Sequence, residues 1–181
     1  LISPVRERIE QANATAQSII DYLIRLSSQS KLSEEESISR LYNHVGDIMR
    51  IAEIADNFTK YTRRSIDQSL RFSPQGLSDI LAIFEKVKEL YSYTREYLLS
   101  KDPALLPLCN QAEETIDALR RSSVDSHIKR LKLSECDPKS SGVFINMVSN
   151  LERLGDHLTY ILGLENGLAP SALPMDVNLD D

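Results

Sequence analysis

The apolar residues of this chain recur at alternating spacings of three and four positions over five long stretches. Such spacing places apolar side chains on one helix face and, when sustained, favours helices that pack side by side at shallow angles. The 6 glycines and 7 prolines of the 181 residues gather at a few breaks. We find no sustained period-two alternation and no Asn-Gly hairpin turn, the usual signals of strands. The sequence therefore predicts an all-α protein with about five long antiparallel helices.

The breaks between these stretches set the order of the predicted helices. The first helix begins at Ser3-Pro4, the second follows Ser33 and runs to about Leu70, the third begins at Ser73-Pro74, the fourth begins at Asp102-Pro103, and the fifth follows the turn over residues 137–142. Proline is favourable in a first helical turn. On the third helix we predict an inward stripe of Leu77, Ile80, Phe84, Val87, Tyr91, Thr94 and Leu98. Residues 165–181 are predicted to form an extended C-terminal tail.

Charge and composition exclude several classes of protein. The net charge of −6 gives no reason to expect a nucleic-acid partner. No apolar run approaches the roughly 20 residues of a membrane span. Cys109 and Cys136 have no Cys or His neighbours at zinc-ligand spacing, which favours a reduced, cytoplasmic setting. Because the sequence begins at Leu1 without an initiating Met and enters a helix almost at once, we expect it to be a piece of a longer protein.

The two halves of the chain resemble each other. Residues 47–57 align without gaps with residues 150–160, and residues 16–23 align with residues 112–119 after a slip of one position. We therefore predict tandem three-helix-bundle repeats. The first repeat, over 1–72, is incomplete with two helices, and the second, over 73–164, has three. The missing helix would leave an exposed apolar groove, which we expect to be filled by a second copy in a homodimer or by an upstream helix.

Two pairs of carboxylates carry the strongest chemical signal. Glu113 with Asp117, and Glu152 with Asp156, are each spaced one helical turn apart and therefore share a helix face. If the two faces meet, four hard oxygen ligands converge, which suits iron or another divalent metal ion. Without a cation, these charges would repel one another and raise their pKa values. Gly155, between the second pair, would let a neighbouring helix or a metal come close.

The first half retains only part of this pattern. Its corresponding positions hold Gln17 with Asp21, and Met49 with Glu53, so that two of the four acids are absent. We expect a weaker metal site there, or none, unless Asp47 or Asp56 substitutes. An alternative interpretation of both halves is a solvated helix face, in which the acids pair with nearby arginines at positions 50, 120, 121 and 153. Metal analysis of variants would separate the two.

The other polar residues favour binding over catalysis. His44 and His157 adjoin the repeated motif and are interpreted as surface or packing histidines, while His127 has no suggestive neighbours. There is no ExxH motif, which disfavours a carboxylate-bridged metalloenzyme. No HExxH motif, phosphate-binding glycine loop or serine nucleophile elbow is present either. We therefore predict that the protein is not an enzyme.

Residues 150–157, Asn-Leu-Glu-Arg-Leu-Gly-Asp-His, closely resemble the repeated signature of the PhoU family of phosphate-uptake regulators. The copy in the first half keeps Asp47, Arg50 and Asn57 but has Met49 and Glu53 where the family has Glu and Asp. The pair Glu113 and Asp117 also looks like the family's middle-helix acids. The resemblance covers about residues 5–165, nearly the whole chain.

Membership of this family implies two three-helix bundles in tandem, with metal clusters on the ExxxD faces of some members. It also implies a regulatory role in phosphate homeostasis through contacts with a transporter or a sensor kinase. The partial first repeat most resembles the cytoplasmic PhoU-like domain at the C-terminus of bacterial sodium/phosphate cotransporter-type proteins. That resemblance implies a transmembrane transporter domain in cis and a location on the cytoplasmic side of the membrane. The alternative is a stand-alone adaptor acting on an ABC phosphate transporter and its histidine kinase.

Overall fold

The computed structural model describes residues 2–29 and 34–165, with side chains described through residue 163. Over these residues the chain forms five long α-helices and no strand, which confirms the predicted fold class. The helices are α1 (Ile2–Ser27), α2 (Glu35–Asp67), α3 (Pro74–Ser100), α4 (Leu105–Lys132) and α5 (Ser141–Glu165), and a 3-10 turn (Pro138–Ser140) precedes α5. The helix α5 includes Glu165, and the rest of the predicted tail lies outside the described residues.

Local side-chain bonds explain where the central helices begin. The Ser73 hydroxyl accepts a hydrogen bond from the Gly76 backbone N–H at 3.1 Å, and Pro74 occupies the first position of α3. Ser73 therefore caps α3 at its predicted start, since a side-chain oxygen satisfies an otherwise unpaired N–H. The α4 helix begins two residues after the predicted Asp102-Pro103 start. There the Asp102 side chain accepts from the Ala104 N–H at 2.9 Å and forms a turn ahead of the helix.

The main hydrophobic core lies among α3, α4 and α5, which pack against one another as a three-helix bundle. The side chains that are almost completely buried come from all three helices: Ile83, Leu90, Cys109, Ile116, Phe144 and Val148. Helix α2 adds partly buried Ile51 and Phe58 to the edge of this core. Burial of aliphatic and aromatic side chains from three helices is the main force that holds this half together.

The inward face of α3 differs from the predicted stripe. Leu77, Phe84 and Tyr91 are 47%, 44% and 55% exposed, so their predicted burial was wrong. The residues one position earlier along the helix, Gly76, Ile83 and Leu90, are buried in their place. The predicted burial of positions 80, 87 and 94 is confirmed, and Leu98 is partly buried. Because α3 is apolar on two adjoining faces, two stripes satisfy the same three-four spacing, and only the positions of α4 and α5 decide which one is buried.

Helices α1 and α2 form an antiparallel hairpin beside this bundle. The helix α1 packs mainly on α2, and α2 in turn packs on α5. Small and aliphatic side chains fill the hairpin contact, with Ala16, Leu23, Val45 and Ala52 buried. An apolar groove lies between α1 and α2, and Ala16, Leu23 and Val45 are among the residues that line it. The exact division of repeats near residue 72 remains a prediction.

A polar seam joins the hairpin to the bundle where α2 meets α5. The Asn150 amide donates to the Tyr61 hydroxyl at 3.0 Å, and its carbonyl oxygen accepts from the Asn57 amide at 3.3 Å. Farther along the seam, His157 Nδ1 lies 3.0 Å from Asp47 Oδ1. Both aligned segments, residues 47–57 and 150–160, therefore lie against each other, as two-fold-related copies of one motif would.

A buried polar cluster closes the other end of the bundle. Arg130 Nη2 on α4 donates to Asp79 Oδ2 on α3 at 3.0 Å, and its guanidinium lies 5.7 Å from the centre of the Phe144 ring. The neighbouring His127 is buried, stacks on Phe144 at 4.5 Å and lies 3.0 Å from the Ser141 hydroxyl. Sequence spacing did not indicate a contact partner for His127, because its partners lie on another helix, α5. Burial, and then the positive charge of Arg130, lower the pKa of His127.

We predict that Asp79→Ala lowers the free energy of unfolding by about 3 kcal/mol, because it leaves the Arg130 guanidinium buried without its counter-ion. The matched control is Glu85→Ala, which removes an exposed pair with Lys88 on the same helix and should cost less than about 1 kcal/mol. Chemical denaturation followed by circular dichroism measures both. Equal losses in the two variants would contradict a stabilising role for the buried pair.

Candidate metal centre

The candidate site lies where α4 and α5 run side by side, and close packing of the two helices depends on Gly155. A Cβ atom built at Gly155 would lie 3.2 Å from Cδ1 of Ile116 on α4 and 3.7 Å from Cδ2 of Leu90 on α3. The first distance is tighter than an ordinary carbon contact, so even an alanine there would require the Ile116 side chain to shift by a few tenths of an ångström. The glycine therefore admits a neighbouring helix, and this brings the acids of the two helices within reach of each other.

Three carboxylates meet at this position. One oxygen from each of Glu113, Asp117 and Asp156 lies within 4.8 Å of the other two, and all three residues are partly buried. We call these residues the carboxylate cluster. Metal–oxygen distances in proteins are about 2.0–2.6 Å, so oxygens up to roughly 5 Å apart can bind one ion between them. The spacing therefore suits a single hard cation.

Glu152 lies outside this group. Its Oε1 atom is 3.5 Å from Nη2 of Arg120, an arginine on α4. The side chain remains close enough to influence Asp156, whose pKa it helps to raise. Of the four acids that the sequence singled out, the structure thus brings three together and places the fourth beside them, partly neutralised by an arginine. Arg120 is the residue that competes with a cation for Glu152.

The corresponding acids of the first repeat do not meet. Asp21 accepts a hydrogen bond from Gln17, and Glu53 pairs with Arg50 at 2.7 Å, both in exposed positions. Because Asp56 lies opposite Arg6 in the antiparallel hairpin, Glu53 lies opposite about residue 9. At a rise of 1.5 Å per residue, Asp21 is then roughly 18 Å farther along the hairpin. The pairing suggested by the aligned sequences is therefore not reproduced in space.

The two acids considered as substitutes are also engaged elsewhere. Asp47 lies against His157, and Asp56 binds Lys60 at 3.1 Å and Arg6 at 3.8 Å. Within the described residues, no group of three potential ligands forms in the first repeat. The structure therefore places the candidate metal chemistry in the second repeat.

Burial and mutual repulsion perturb the ionisation of these acids. Burial is the main cause that raises the pKa of Asp156 to about 6, and the charges of Glu152, Asp117 and Glu113 add to it. Burial, followed by the charge of Asp117, raises the pKa of Glu113. Burial also raises the pKa of Glu152, although Arg120 opposes this effect. A cation among the oxygens would relieve both the desolvation and the repulsion.

Two further residues lie at the edge of the site: Tyr160, which the sequence reasoning missed, and His157, which it interpreted as a surface or packing histidine. Tyr160 lies one turn after Asp156, and burial, followed by the charges of Asp156 and Asp47, raises the pKa of its hydroxyl. His157, packed edge-on against Tyr160 at 5.6 Å, links this edge to Asp47 in the first repeat. The i, i+4 spacing of Asp156 and Tyr160 was a signal that could have indicated a shared face.

The raised pKa of Asp156 predicts a specific pH dependence in the metal-free protein. The folded state holds this proton more tightly than the unfolded state, whose pKa is 3.8, so the free energy of unfolding falls as the pH rises from about 4 to about 6 and stays low above that. Asp156→Asn should therefore raise the free energy of unfolding by about 1–2 kcal/mol near pH 7, and this gain should vanish near pH 4. Urea denaturation in the presence of a chelator measures it.

The control is Asp21→Asn, which changes an exposed acid of the first repeat and should alter stability by less than about 0.5 kcal/mol at either pH. If the Asp156 variant showed the same stability difference at both pH values, the ionisation of Asp156 would not be the source of the effect.

Comparison with known proteins supports the interpretation of the fold. Residues 80–163, which span most of α3, α4 and α5, match the PhoU domain family model. The structure of PhoU from Pseudomonas aeruginosa is similar, with a TM-score of 0.77 and 20% sequence identity over 92% of this chain and 81% of that chain. At this level of identity the likeness concerns the fold. No curated protein matches the sequence significantly.

The matched region contains all three members of the carboxylate cluster, together with Glu152 and Gly155. The structural likeness extends beyond it to the α1–α2 hairpin, because it covers nearly the whole chain. Residues 80–163 therefore match the PhoU domain, and the fold of the chain as a whole is similar to that of PhoU.

Proposed function

We propose that this chain is a regulatory domain of phosphate transport that binds a metal ion through Glu113, Asp117 and Asp156 and acts by contact with other proteins. The observation that carries the metal-binding part is the convergence of three partly buried carboxylates within 4.8 Å. The phosphate-related part is supported by the PhoU domain match over residues 80–163 and by the resemblance of residues 150–157 to the family signature.

The donor set fits a hard cation. All three ligands are carboxylates, which suit iron(III) or a divalent ion such as manganese better than a soft metal. A bound ion would supply positive charge between α4 and α5. The residues themselves would clamp the two helices, since Glu113 and Asp117 belong to α4 and Asp156 belongs to α5. Glu152 could join them if it left Arg120, from which it is 3.5 Å away.

A binding role is better supported than catalysis. The cluster consists of carboxylates alone, and the nearest histidine, His157, directs its Nδ1 atom to Asp47 on α2. An ion held there would act on protein shape: it would stabilise the α4–α5 contact and, through the α2–α5 seam, the position of the hairpin. A regulatory domain can use such a change to alter the surface that a partner contacts.

The sequence raised two possibilities for the whole protein. The better supported one is a stand-alone adaptor that regulates an ABC phosphate transporter and its sensor kinase. The structural similarity is to PhoU, and it covers 92% of this chain. Attachment to a sodium-dependent phosphate transporter rests on the sequence resemblance. No helix in the described part of the chain is long and apolar enough to cross a membrane. Transmembrane helices encoded upstream of Leu1 in the gene would favour the attached form.

We predict that the response of phosphate uptake to abundant external phosphate depends on the carboxylate cluster. Cells whose own gene carries Asp117→Asn with Asp156→Asn should fail to reduce uptake in rich phosphate, as cells lacking the gene should, because the domain no longer holds its metal-bound shape. Uptake of radioactive phosphate, with protein abundance checked by immunoblot, measures this.

The matched control is the pair of first-repeat substitutions Asp21→Asn with Glu53→Gln, at acids that do not converge. These cells should regulate uptake normally. If deletion of the gene left the uptake response intact, the proposed role in phosphate transport would be refuted. If deletion changed the response but the cluster variant did not, the regulatory role would stand without the metal.

A further inference from the structure

Arg120 and Glu152 lie next to the carboxylate cluster but outside it. Arg120 follows Asp117 by three positions on α4, and Glu152 precedes Asp156 by four positions on α5. The pair is therefore about one helical turn, roughly 5.4 Å, from the cluster along the same contact between the two helices. Across that contact Nη2 of Arg120 lies 3.5 Å from Oε1 of Glu152. The candidate metal site and an arginine are thus neighbours on one surface.

The protein uses only part of the hydrogen-bonding capacity of Arg120. Its bond to Glu152, at 3.5 Å, is at the long limit for a hydrogen bond. Its Nε atom is buried and has no hydrogen-bond partner within the part of the chain that the structure describes. A buried donor without an acceptor costs free energy, and more so when it is charged. The side chain as a whole is 37% exposed, so an acceptor from solvent can reach it. These donors point to an anionic ligand.

A cation in the carboxylate cluster would make this surface positive. Arg121 lies 3.2 Å from Asp117, and Arg120 and Arg153 both oppose the raised pKa of Glu152. The four acids thus exceed the three arginines by one charge, which a divalent or trivalent ion outweighs. Hard cations take about six or more oxygen ligands, so three carboxylates that bind through one oxygen each leave positions open. The loaded site therefore offers an oxyanion both positive charge and a place on the ion.

We infer that the loaded site binds a phosphate group, which bridges the metal ion and Arg120; this rests on the metal site proposed above. One phosphate oxygen binds the ion at about 2.0–2.6 Å. Others accept charge-assisted hydrogen bonds from the Arg120 guanidinium at about 2.7–2.9 Å, in place of its long contact with Glu152. The planar guanidinium matches the geometry of phosphate oxygens. A phosphate group in this position spans the turn between the cluster and Arg120 and satisfies the free donors.

Glu152 allows the site to distinguish phosphate from sulfate. At neutral pH inorganic phosphate retains at least one P–O–H group, whereas sulfate is fully ionised. A carboxylate can only accept hydrogen bonds, so Glu152 accepts one from phosphate but repels sulfate. Arg120 and a bound cation favour the ionised form of Glu152. Its side chain is 19% exposed, and this burial strengthens both the attraction and the repulsion. Arg120 is therefore the donor of the site and Glu152 its selective acceptor.

Binding of inorganic phosphate to the 181-residue chain tests the inference. The chain is loaded with manganese or, in a parallel sample, with iron, and is dialysed to equilibrium against radioactive phosphate. Phosphate should bind at least about 30-fold more tightly to a loaded chain than to the metal-free chain. Arg120→Gln should retain its metal but bind phosphate at least about 30-fold more weakly, because it loses charge-assisted hydrogen bonds. The matched control is Arg95→Gln, at an exposed position on α3, which should bind both normally.

Competition with other anions tests the role of Glu152. Sulfate should compete with phosphate at least about 30-fold less effectively in the unaltered loaded chain. Glu152→Gln should retain its metal but reduce this preference to about threefold or less, because its amide can donate to sulfate. Phenyl phosphate in the same competition identifies the source of the ligand. Competition equal to that of inorganic phosphate would indicate a phosphate group carried by another molecule, and weaker competition would indicate free phosphate. Either result supports recognition of a phosphate group.

Three outcomes would overturn the inference. A chain that binds metal but not phosphate would refute it and leave the proposed metal site intact. Phosphate binding that is as tight without metal, or that is unchanged in a metal-loaded Arg120→Gln, would place the phosphate elsewhere. A chain that retains neither manganese nor iron would refute the inference together with the metal-binding part of the proposed function. Circular dichroism melts confirm that each variant folds, and the anion preference of Glu152→Gln is an independent test if Arg120→Gln does not.

Discussion

The burial of α5 among α2, α3 and α4 is the interaction on which the rest of the structure depends. Its side chains Phe144, Val148 and Leu151 fill the core of the second repeat, and Asn150 and His157 bond to α2. Gly155 allows α4 to come close enough for Asp156 to meet the acids of α4. Helix α5 therefore contributes side chains to the hydrophobic core, to the seam between the repeats and to the candidate metal site. If α5 lost its packing, the core, the seam and the candidate metal site would all be lost.

The sequence was sufficient for the fold class and for the order of the helices, because long three-four patterns and Ser-Pro or Asp-Pro breaks are local signals. It was not sufficient to choose the buried stripe of α3, where two apolar faces adjoin and Leu77, Phe84 and Tyr91 turned out to be exposed. It also missed the burial of His127, whose partners Phe144 and Ser141 follow after a turn. Such contacts depend on how separate helices pack.

The candidate site was only partly predictable, because it too depends on how separate helices pack. Helical spacing alone placed Glu113 with Asp117 and Glu152 with Asp156, but the distance between the two pairs depends on how α4 and α5 pack. The pairing of Glu152 with Arg120 and the contact of His157 with Asp47 depend on how separate helices pack, so sequence spacing did not indicate them. In the first repeat, sequence alignment pairs Asp21 with Glu53 in register, whereas the hairpin holds them far apart, since Asp56 lies opposite Arg6.

The two halves of the chain therefore differ in their cores and in the placement of their acids. The second repeat has a complete core and three converging acids, whose unfavourable burial and repulsion a cation would offset. In the first repeat the corresponding acids do not converge, and an apolar groove lies between α1 and α2. On this account the second repeat holds the metal, and the α2–α5 seam connects it to the hairpin.

The central claim is that metal binding belongs to the second repeat alone. Its most direct test is elemental analysis of the protein after loading with iron, manganese, nickel or zinc and removal of free metal. The account predicts bound metal in the unaltered chain and in Asp21→Asn/Glu53→Gln, and its loss in Asp117→Asn/Asp156→Asn. Metal retained in the second-repeat variant, or absent from all three proteins, would contradict it.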